Sequence, residues 1–165
     1  MQFNVEPIKI AYTTEGDGGD IHPHQPQIKS SGAAGYDIRS TDTVIIPPQS
    51  NAVVGTGIRL ELPQHMYATI ESRSGLAFAK GPIRDGHQTH RGVTAFRGII
   101  DSDYRGEIKV LLFNNSPETA TIIKGSRVAQ MIFHQHIRHQ NIVFSEVQEL
   151  GNTERGNGGF GSTGI

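Results

Sequence analysis

The segment Glu107-Ile-Lys-Val-Leu-Leu-Phe113 has the hydrophobic pattern of a β-strand. Its even-numbered residues are all aliphatic, as expected for one face of a strand that packs on a core. The odd-numbered residues from Lys109 to Phe113 are too apolar as a set for a solvent face. We therefore predict that this strand is buried on both of its sides.

Short strand-like runs recur on both sides of this stretch. Strands are predicted at 5–12, 43–46, 52–60, 66–71, 119–123, 127–134 and 142–147. Turn residues such as Pro47-Pro48 and Asn114-Asn115-Ser116-Pro117 separate the runs. Many short strands with this spacing indicate a sandwich or a jelly roll. The one predicted helix is a short piece at 74–80, with Ser72 or Ser74 as its N-cap.

The length of 165 residues suits one domain. We predict a single all-β domain over 1–151 and a flexible glycine-rich C-terminal segment over 152–165. Within the domain, the polar residues 14–32 are typical of an exposed loop. Residues 81–95 interrupt the strand pattern and are interpreted as a surface insert.

The composition narrows the class of protein. The formal net charge is −1, whereas a protein that binds a nucleic-acid backbone usually carries a basic surplus, so no direct nucleic-acid binding is expected. No apolar run approaches the length of a membrane span, and no signal peptide is apparent. Cysteine is absent, which fits an intracellular, reducing compartment such as cytoplasm or nucleus, including that of a virus-infected host cell.

The segment Ser72-Arg73-Ser74-Gly75 stands where a predicted strand leads into the short helix. Helix-start N–H groups, a hydroxyl and a guanidinium together suit a phosphate. Taken alone, a helix cap beside a surface arginine explains these residues more simply.

The segment Gly98-Ile-Ile-Asp-Ser-Asp-Tyr-Arg-Gly106 has two short arms around a polar turn, which predicts a β-hairpin. The inner backbone of a hairpin can hydrogen-bond a flat base edge. Asp101 follows two apolar residues, so we expect it to be partly desolvated and able to act as a general base on water. The alternative is a turn aspartate that binds its own backbone.

Two later segments add further polar groups. Gly125-Ser-Arg-Val-Ala-Gln-Met-Ile132 places Arg127 and Gln130 in an otherwise apolar strand, where both need partners. Arg155-Gly-Asn-Gly-Gly-Phe-Gly-Ser-Thr-Gly164 combines an arginine fork for phosphate with one aromatic ring and two hydroxyls. A disordered linker is the alternative for this last segment, but linkers seldom carry one arginine and one phenylalanine so placed.

Together with Ala34-Gly-Tyr-Asp-Ile38, these segments resemble the five motifs of the trimeric dUTPase family, in the family's order. The resemblance spans roughly Gly32 to Gly164. It implies a jelly-roll subunit with one short helix and a homotrimer whose active sites are each built from more than one subunit. It also implies hydrolysis of dUTP to dUMP and pyrophosphate, which limits uracil in DNA and supplies dUMP for dTMP synthesis.

The resemblance also implies roles for individual residues. Asp101 would activate the attacking water. Tyr104 would pack under the deoxyribose and sterically exclude a 2′-hydroxyl. Mg²⁺ would be held mainly by the triphosphate and by waters, with Asp37 close to those waters but not bound to the ion. The full substrate-binding set is Arg73, Ser74, Gly75, Gly98, Ile99, Ile100, Tyr104, Lys109, Gln130, Arg155, Phe160, Gly161, Ser162 and Thr163.

Two other functions are compatible with the same fold. A binding or signalling module without catalysis would not need Asp101, Tyr104 or the C-terminal segment, and all three are present. A dCTP deaminase would need a proton-shuttling acid beside the pyrimidine, for which Glu71 is the candidate.

Overall fold

The computed structural model describes residues 8–14, 25–78, 92–137 and 141–158, which form twelve strands and one short helix. The elements are β1 (Ala11–Thr14), β2 (Gln27–Ile28), β3 (Tyr36–Arg39), β4 (Val44–Ile46), β5 (Asn51–Gly55), β6 (Ile58–Glu61), β7 (Met66–Glu71), α1 (Ser74–Ala77), β8 (Val93–Ala95), β9 (Gly98–Ile100), β10 (Lys109–Asn114), β11 (Ala120–Ile122) and β12 (Arg127–Gln135). No helix in the described ranges is long and apolar enough to cross a membrane.

The strands form antiparallel sheets around one continuous core. The largest sheet has the order β2-β3-β12-β7-β9, and a second has the order β5-β10-β8. The pairs β1-β6 and β4-β11 complete the described β-structure. Ile70 and Met131 of the large sheet join Val54 and Leu112 of the second sheet in the same buried cluster. The predicted all-β jelly-roll class with a single short helix is therefore confirmed.

The strand predicted at 107–113 is observed as β10, but the prediction that it is buried on both sides is wrong for a single chain. Ile108, Val110 and Leu112 are fully buried, as the pattern indicated. Leu111 on the other face is 37% exposed, and Lys109 is exposed. No other layer of the described residues covers this outer face, so its apolar side chains remain at the surface of the subunit.

The predicted strand 52–60 is two strands, because the chain turns at Thr56 and Gly57. Gly57 has a φ of 67°, which lies outside the extended region. The carboxylate of Glu107 accepts hydrogen bonds from the N–H groups of Thr56 (3.1 Å) and Gly57 (3.0 Å). A distant acid thus stabilises a turn that was not predicted, although Gly55 and Gly57 mark it in the sequence.

The remaining differences involve short or terminal elements. The strand predicted at 142–147 is absent, and Val143 and Phe144 there are exposed. The strand predicted at 5–12 is observed only as β1, with residues 1–7 outside the described part of the chain. β2, β3 and β8 were not predicted, and β8 falls at the end of the predicted surface insert, of which 81–91 lie outside the described residues.

The helix begins at Ser74, as predicted, but its capping differs. It ends at Ala77, while residues 79–80 of the predicted span lie outside the described residues. Its N-cap is Arg73, and no side chain makes a cap hydrogen bond, so the prediction of Ser72 or Ser74 as the cap is wrong. The hydroxyl of Ser72 instead accepts the N–H of Ala95 (3.1 Å), which joins the helix start to β8.

Candidate active site

The predicted hairpin at 98–106 is an open loop whose two arms belong to different sheets. β9 pairs with β7, with Ile100 opposite Ala68 and Gly98 opposite Ile70. β10 pairs instead with β5 and β8. Because β8 pairs with the far half of β10 before the chain crosses to the large sheet as β9, the arms separate rather than pair. The hairpin prediction is wrong in this respect.

A pocket of about 300 Å³ lies between the separated arms. The side of β9 away from β7 has no strand partner in the described sheets, so its backbone is available to a ligand. The pocket brings together most of the predicted residues of this segment. It is lined by Ile70, Gly98, Ile99, Ile100, Asp101, Tyr104, Glu107, Ile108 and Lys109.

Asp101 stands at the rim of this pocket and is exposed in the single chain. The expected partial desolvation is therefore absent at the level of one subunit. The Asp101 carbonyl accepts the N–H of Tyr104 (3.2 Å), and Arg105 donates to the carbonyl of Ser102 (2.7 Å). These bonds shape the turn, while the Asp101 carboxylate itself remains accessible to water.

A second polar centre is built around Asp37 on β3. One of its carboxylate oxygens accepts the Nε of Arg73 (2.8 Å), and the other accepts Nη1 of Arg127 (3.3 Å). Arg73 also donates Nη1 to the carbonyl of Arg127 (3.0 Å). Burial lowers the pKa of Arg73, and the charge of Asp37 opposes that shift. Arg127 was predicted to need a polar partner in its apolar strand, and Asp37 is such a partner.

The arginine cluster, defined as Asp37, Arg39, Arg73 and Arg127, contains three cations and one anion. Arg39, which was not among the predicted site residues, donates Nη1 to the carbonyl of Gly125 (2.7 Å) and adds positive charge near Arg73. Its position two residues after Asp37 on the same strand was the available signal. A surplus of guanidinium charge held by backbone and carboxylate contacts suits a polyanion.

The other residues that were predicted to bind phosphate lie beside this cluster. Gln130 lies opposite Asp37 on one side and opposite Glu71 on the other. A Cβ at Gly35 would lie 3.1 Å from the Gln130 Cβ, so the glycine gives the glutamine its room. Ser74 and Gly75 are exposed at the start of α1, directly after Arg73.

Asp101 and the arginine cluster lie at opposite ends of β7. Asp101 follows Ile100, which pairs with Ala68, and lines a groove together with Tyr67. Glu71, in register with Gln130 and thus with Asp37, is four residues further along β7. At about 3.4 Å per residue this separation is about 14 Å. One chain therefore does not bring the predicted base and the predicted phosphate residues together.

The C-terminal segment is described only as far as Gly158. Arg155 donates its Nε to the carbonyl of Gly158 (2.8 Å), and Gly156 donates its N–H to Thr153 (3.1 Å). The predicted residues Phe160, Gly161, Ser162 and Thr163 lie outside the described residues. No described contact joins Arg155 to the arginine cluster.

Two further observations bear on the chemistry of the site. Glu71 forms an ion pair with Arg97 (3.0 Å), which engages the only acid proposed for a deaminase reaction. Within the described ranges, no group of three or more His, Cys, Asp or Glu side chains is placed to hold a metal ion.

These features define an all-β jelly-roll protein with a cleft between sheets and an arginine cluster that carries a surplus of positive charge. A family profile described as dUTPase matches residues 22–164. The chain belongs to the dUTPase family.

The similarity to individual proteins covers most of the chain. It is 43% identical to the deoxyuridine 5′-triphosphate nucleotidohydrolase of Paramecium bursaria Chlorella virus 1, over 85% of this chain and 89% of that protein. It is 45% identical to the mitochondrial enzyme of the same name from Homo sapiens, over 97% of this chain and 61% of that protein. A solved structure of the Staphylococcus bacteriophage 80alpha dUTPase with dUPNHPP has the same fold, with a TM-score of 0.75 and 22% identity over 95% of this chain and 99% of that one.

Proposed function

We propose that this protein hydrolyses dUTP to dUMP and pyrophosphate by attack of water on the α-phosphorus. The observation that carries the proposal is the pocket between β9 and β10, which has Asp101 at its rim and Tyr104 in its wall. Such a reaction limits uracil in DNA and supplies dUMP for dTMP synthesis.

The base-binding half of the site is the open edge of β9. Backbone groups of Gly98, Ile99 and Ile100 face a pocket of about 300 Å³ and read the edge of uracil. Tyr104 packs under the deoxyribose, and Lys109 lies across from it on β10. Asp101 orients the attacking water and accepts its proton, a contribution of about 10²–10⁴-fold to the rate.

The phosphate half of the site is the arginine cluster with its neighbours. Arg73, Ser74, Gly75 and Gln130 hold the triphosphate, and the surplus cationic charge stabilises the transition state. Mg²⁺ fits a position on the triphosphate with water ligands, because both oxygens of Asp37 already accept arginine donors. When bound, the ion neutralises phosphate charge and orients the leaving pyrophosphate.

We propose that each active site is shared between subunits of a homotrimer. A base acts within about 3 Å of its water, and arginine binds phosphate at a similar distance, so the two must approach within about 10 Å. In one chain they are separated by about 14 Å along β7. A second subunit that presents its own arginine cluster beside the pocket removes this mismatch.

The apolar surface of the chain supports the same assembly. Val53 and Leu111 are directly opposite each other on β5 and β10, and both are exposed, as is Phe96 nearby. In the segment after β12, the Phe144 side chain is 96% exposed. Single subunits rarely leave so many large apolar groups in water, so these residues are expected to pack against other subunits.

The C-terminal residues 152–165 are proposed as a flap that closes over the site of another subunit, while 1–151 form the catalytic domain. Arg155 then contacts the γ-phosphate, Phe160 covers the uracil ring, and Gly161, Ser162 and Thr163 approach the phosphates. The absence of cysteine supports an intracellular, reducing location.

The reaction is tested by incubating the protein with dUTP and Mg²⁺ and measuring pyrophosphate release. A parallel incubation with dCTP, in which ammonia is measured, tests deamination. We expect pyrophosphate from dUTP and no ammonia from dCTP. Ammonia release without pyrophosphate would overturn the proposal.

A further inference from the structure

We propose that Gly106 sets the sugar selectivity of the nucleotide pocket by giving the Tyr104 ring the place it occupies. This inference rests on the proposed function, in which Tyr104 excludes a 2′-hydroxyl. Gly106 has no side chain that could contact the substrate. Its effect on the choice between deoxyribonucleotides and ribonucleotides comes from the space that it leaves for the Tyr104 ring.

The Tyr104 ring lies where a side chain of residue 106 would be. A Cβ built on Gly106 would stand 2.5 Å from Cζ of Tyr104 and 2.9 Å from Cε2. Ordinary van der Waals contact begins at about 3.4 Å, so the ring would have to move by about 1 Å. Any residue larger than glycine therefore competes with the tyrosine for the same volume.

The backbone at this position does not itself require glycine. Glycines with a positive φ in the described residues are Gly57, Gly92, Gly125 and Gly156, and Gly106 is not one of them. An alanine at 106 can thus adopt the backbone conformation without strain. The need for glycine comes from the tyrosine ring, so a substitution here acts on the ring first.

The tip of the ring is anchored to a fixed point. The Tyr104 hydroxyl donates to the carbonyl of Glu107 (2.9 Å). The side chain of Glu107 is in turn held by the N–H groups of Thr56 (3.1 Å) and Gly57 (3.0 Å). A ring displaced by about 1 Å loses its hydroxyl bond, because Glu107 is tied to the turn between β5 and β6.

A displaced ring no longer fixes the wall that Tyr104 contributes to the pocket. Tyr104 is 45% exposed, so neighbouring side chains do not hold the ring once its hydroxyl bond is lost. The wall that it forms with Lys109 and Asp101 then loses the fixed surface that excludes a 2′-hydroxyl.

The experiment compares kcat/KM for dUTP with kcat/KM for UTP in four proteins: wild type, Gly106→Ala, Tyr104→Ala and the double variant. We expect Gly106→Ala to lower the dUTP/UTP ratio at least about tenfold, the effect of one methyl group in a binding pocket. In the Tyr104→Ala background, Gly106→Ala should change the ratio no further, because its effect passes through the ring. Gly32→Ala, where a Cβ meets no atom within 4 Å, is the matched control and should keep the wild-type ratio.

Two outcomes overturn the inference: a wild-type ratio in Gly106→Ala, or an effect that persists in full without the tyrosine ring. Binding of dUMP and UMP by calorimetry gives the same comparison without turnover. A wild-type protein that prefers dUMP over UMP but releases no pyrophosphate from dUTP would refute the proposed reaction and leave Gly106 testable. Equal binding of dUMP and UMP to the wild type would overturn the selectivity role itself.

Discussion

Asp37 gives one carboxylate oxygen to Arg73 and the other to Arg127, and its side chain is only 8% exposed. A buried carboxylate between guanidinium groups fixes their orientation, because each guanidinium presents its donors in one plane. With Nε and Nη1 of Arg73 occupied, Nη2 has no described protein partner. Asp37 therefore fixes the orientation of Arg73 and partly neutralises the charge of the cluster.

Replacing Asp37 by Asn removes the charge and retains the shape. Three arginines then lie close together without a compensating anion, so we expect the free energy of unfolding to fall by about 2 kcal/mol. The KM for dUTP should rise, since Arg73 is no longer aimed. Urea unfolding and steady-state kinetics measure the two effects. The exposed Asp42→Asn is the control, and equal midpoints for both variants would contradict the role of Asp37.

Asp101 differs from Asp37 because its carboxylate is exposed and makes no described ion pair. Its replacement by Asn should leave the fold intact and lower kcat by about 10²–10⁴-fold, since the amide cannot accept the proton of water. Binding of dUMP by calorimetry should change little. The neighbouring Asp103→Asn, also exposed, is the control. Undiminished turnover in Asp101→Asn would assign the base to another residue.

At the scale of elements, the sequence predicted strands well where the hydrophobic pattern is long. β7, β10 and β12 fall at the predicted places because their apolar faces pack on the core. β2 and β8 were missed because each has only one aliphatic residue larger than alanine, unlike the equally short β4, and they form through partners distant in sequence. Local sequence contains no information about such partners.

The candidate site shows the same limit. The chemical types at Arg73, Asp101 and Tyr104 were recognisable from motifs, and the structure places Asp101 and Tyr104 in one pocket. The separation of the 98–106 arms was not predictable, because it results from pairing with β7, β5 and β8 rather than from the turn residues. The contacts of Asp37 with Arg127 and of Arg39 with the Gly125 carbonyl were not predictable either, because they depend on the pairing of β3 with β12.

We expect removal of the C-terminal segment to separate folding from catalysis. A chain ending at Gly151 should keep the unfolding midpoint of the full protein, because residues 151–157 are exposed and contribute little to the core. Turnover should fall by about 10²-fold or more, since Arg155 and the aromatic cover are lost. Circular dichroism and pyrophosphate release measure the two properties. Removal of Ile165 alone is the control, and full activity without residues 152–165 would refute the flap.

At the scale of the whole molecule, one chain carries two incomplete half-sites and an uncovered apolar surface. Asp101 and the arginine cluster stand at opposite ends of β7, and the surface around Val53 and Leu111 lies on the other sheet. We propose that association of subunits accounts for both facts, because it would bury apolar area and bring the Asp101 pocket of one chain to the arginine cluster of another. Sedimentation should accordingly give three times the 18.0 kDa of the chain.

Subunit mixing tests whether the sites are shared. Asp101→Asn and Arg73→Gln chains, each expected to have little activity alone, are unfolded together and refolded in equal amounts. A site that takes Asp101 from one chain and Arg73 from another contains both native residues with probability one half times one half, so about one quarter of wild-type activity should appear. A site within one chain would recover none.

In the matched control, wild type is refolded with an equal amount of the Asp101→Asn/Arg73→Gln double variant. Shared sites then retain about one quarter of the activity, whereas single-chain sites retain about one half. The two mixtures should therefore give equal activities, and this equality distinguishes shared catalysis from a general loss of folded protein, which would lower both mixtures without making them agree.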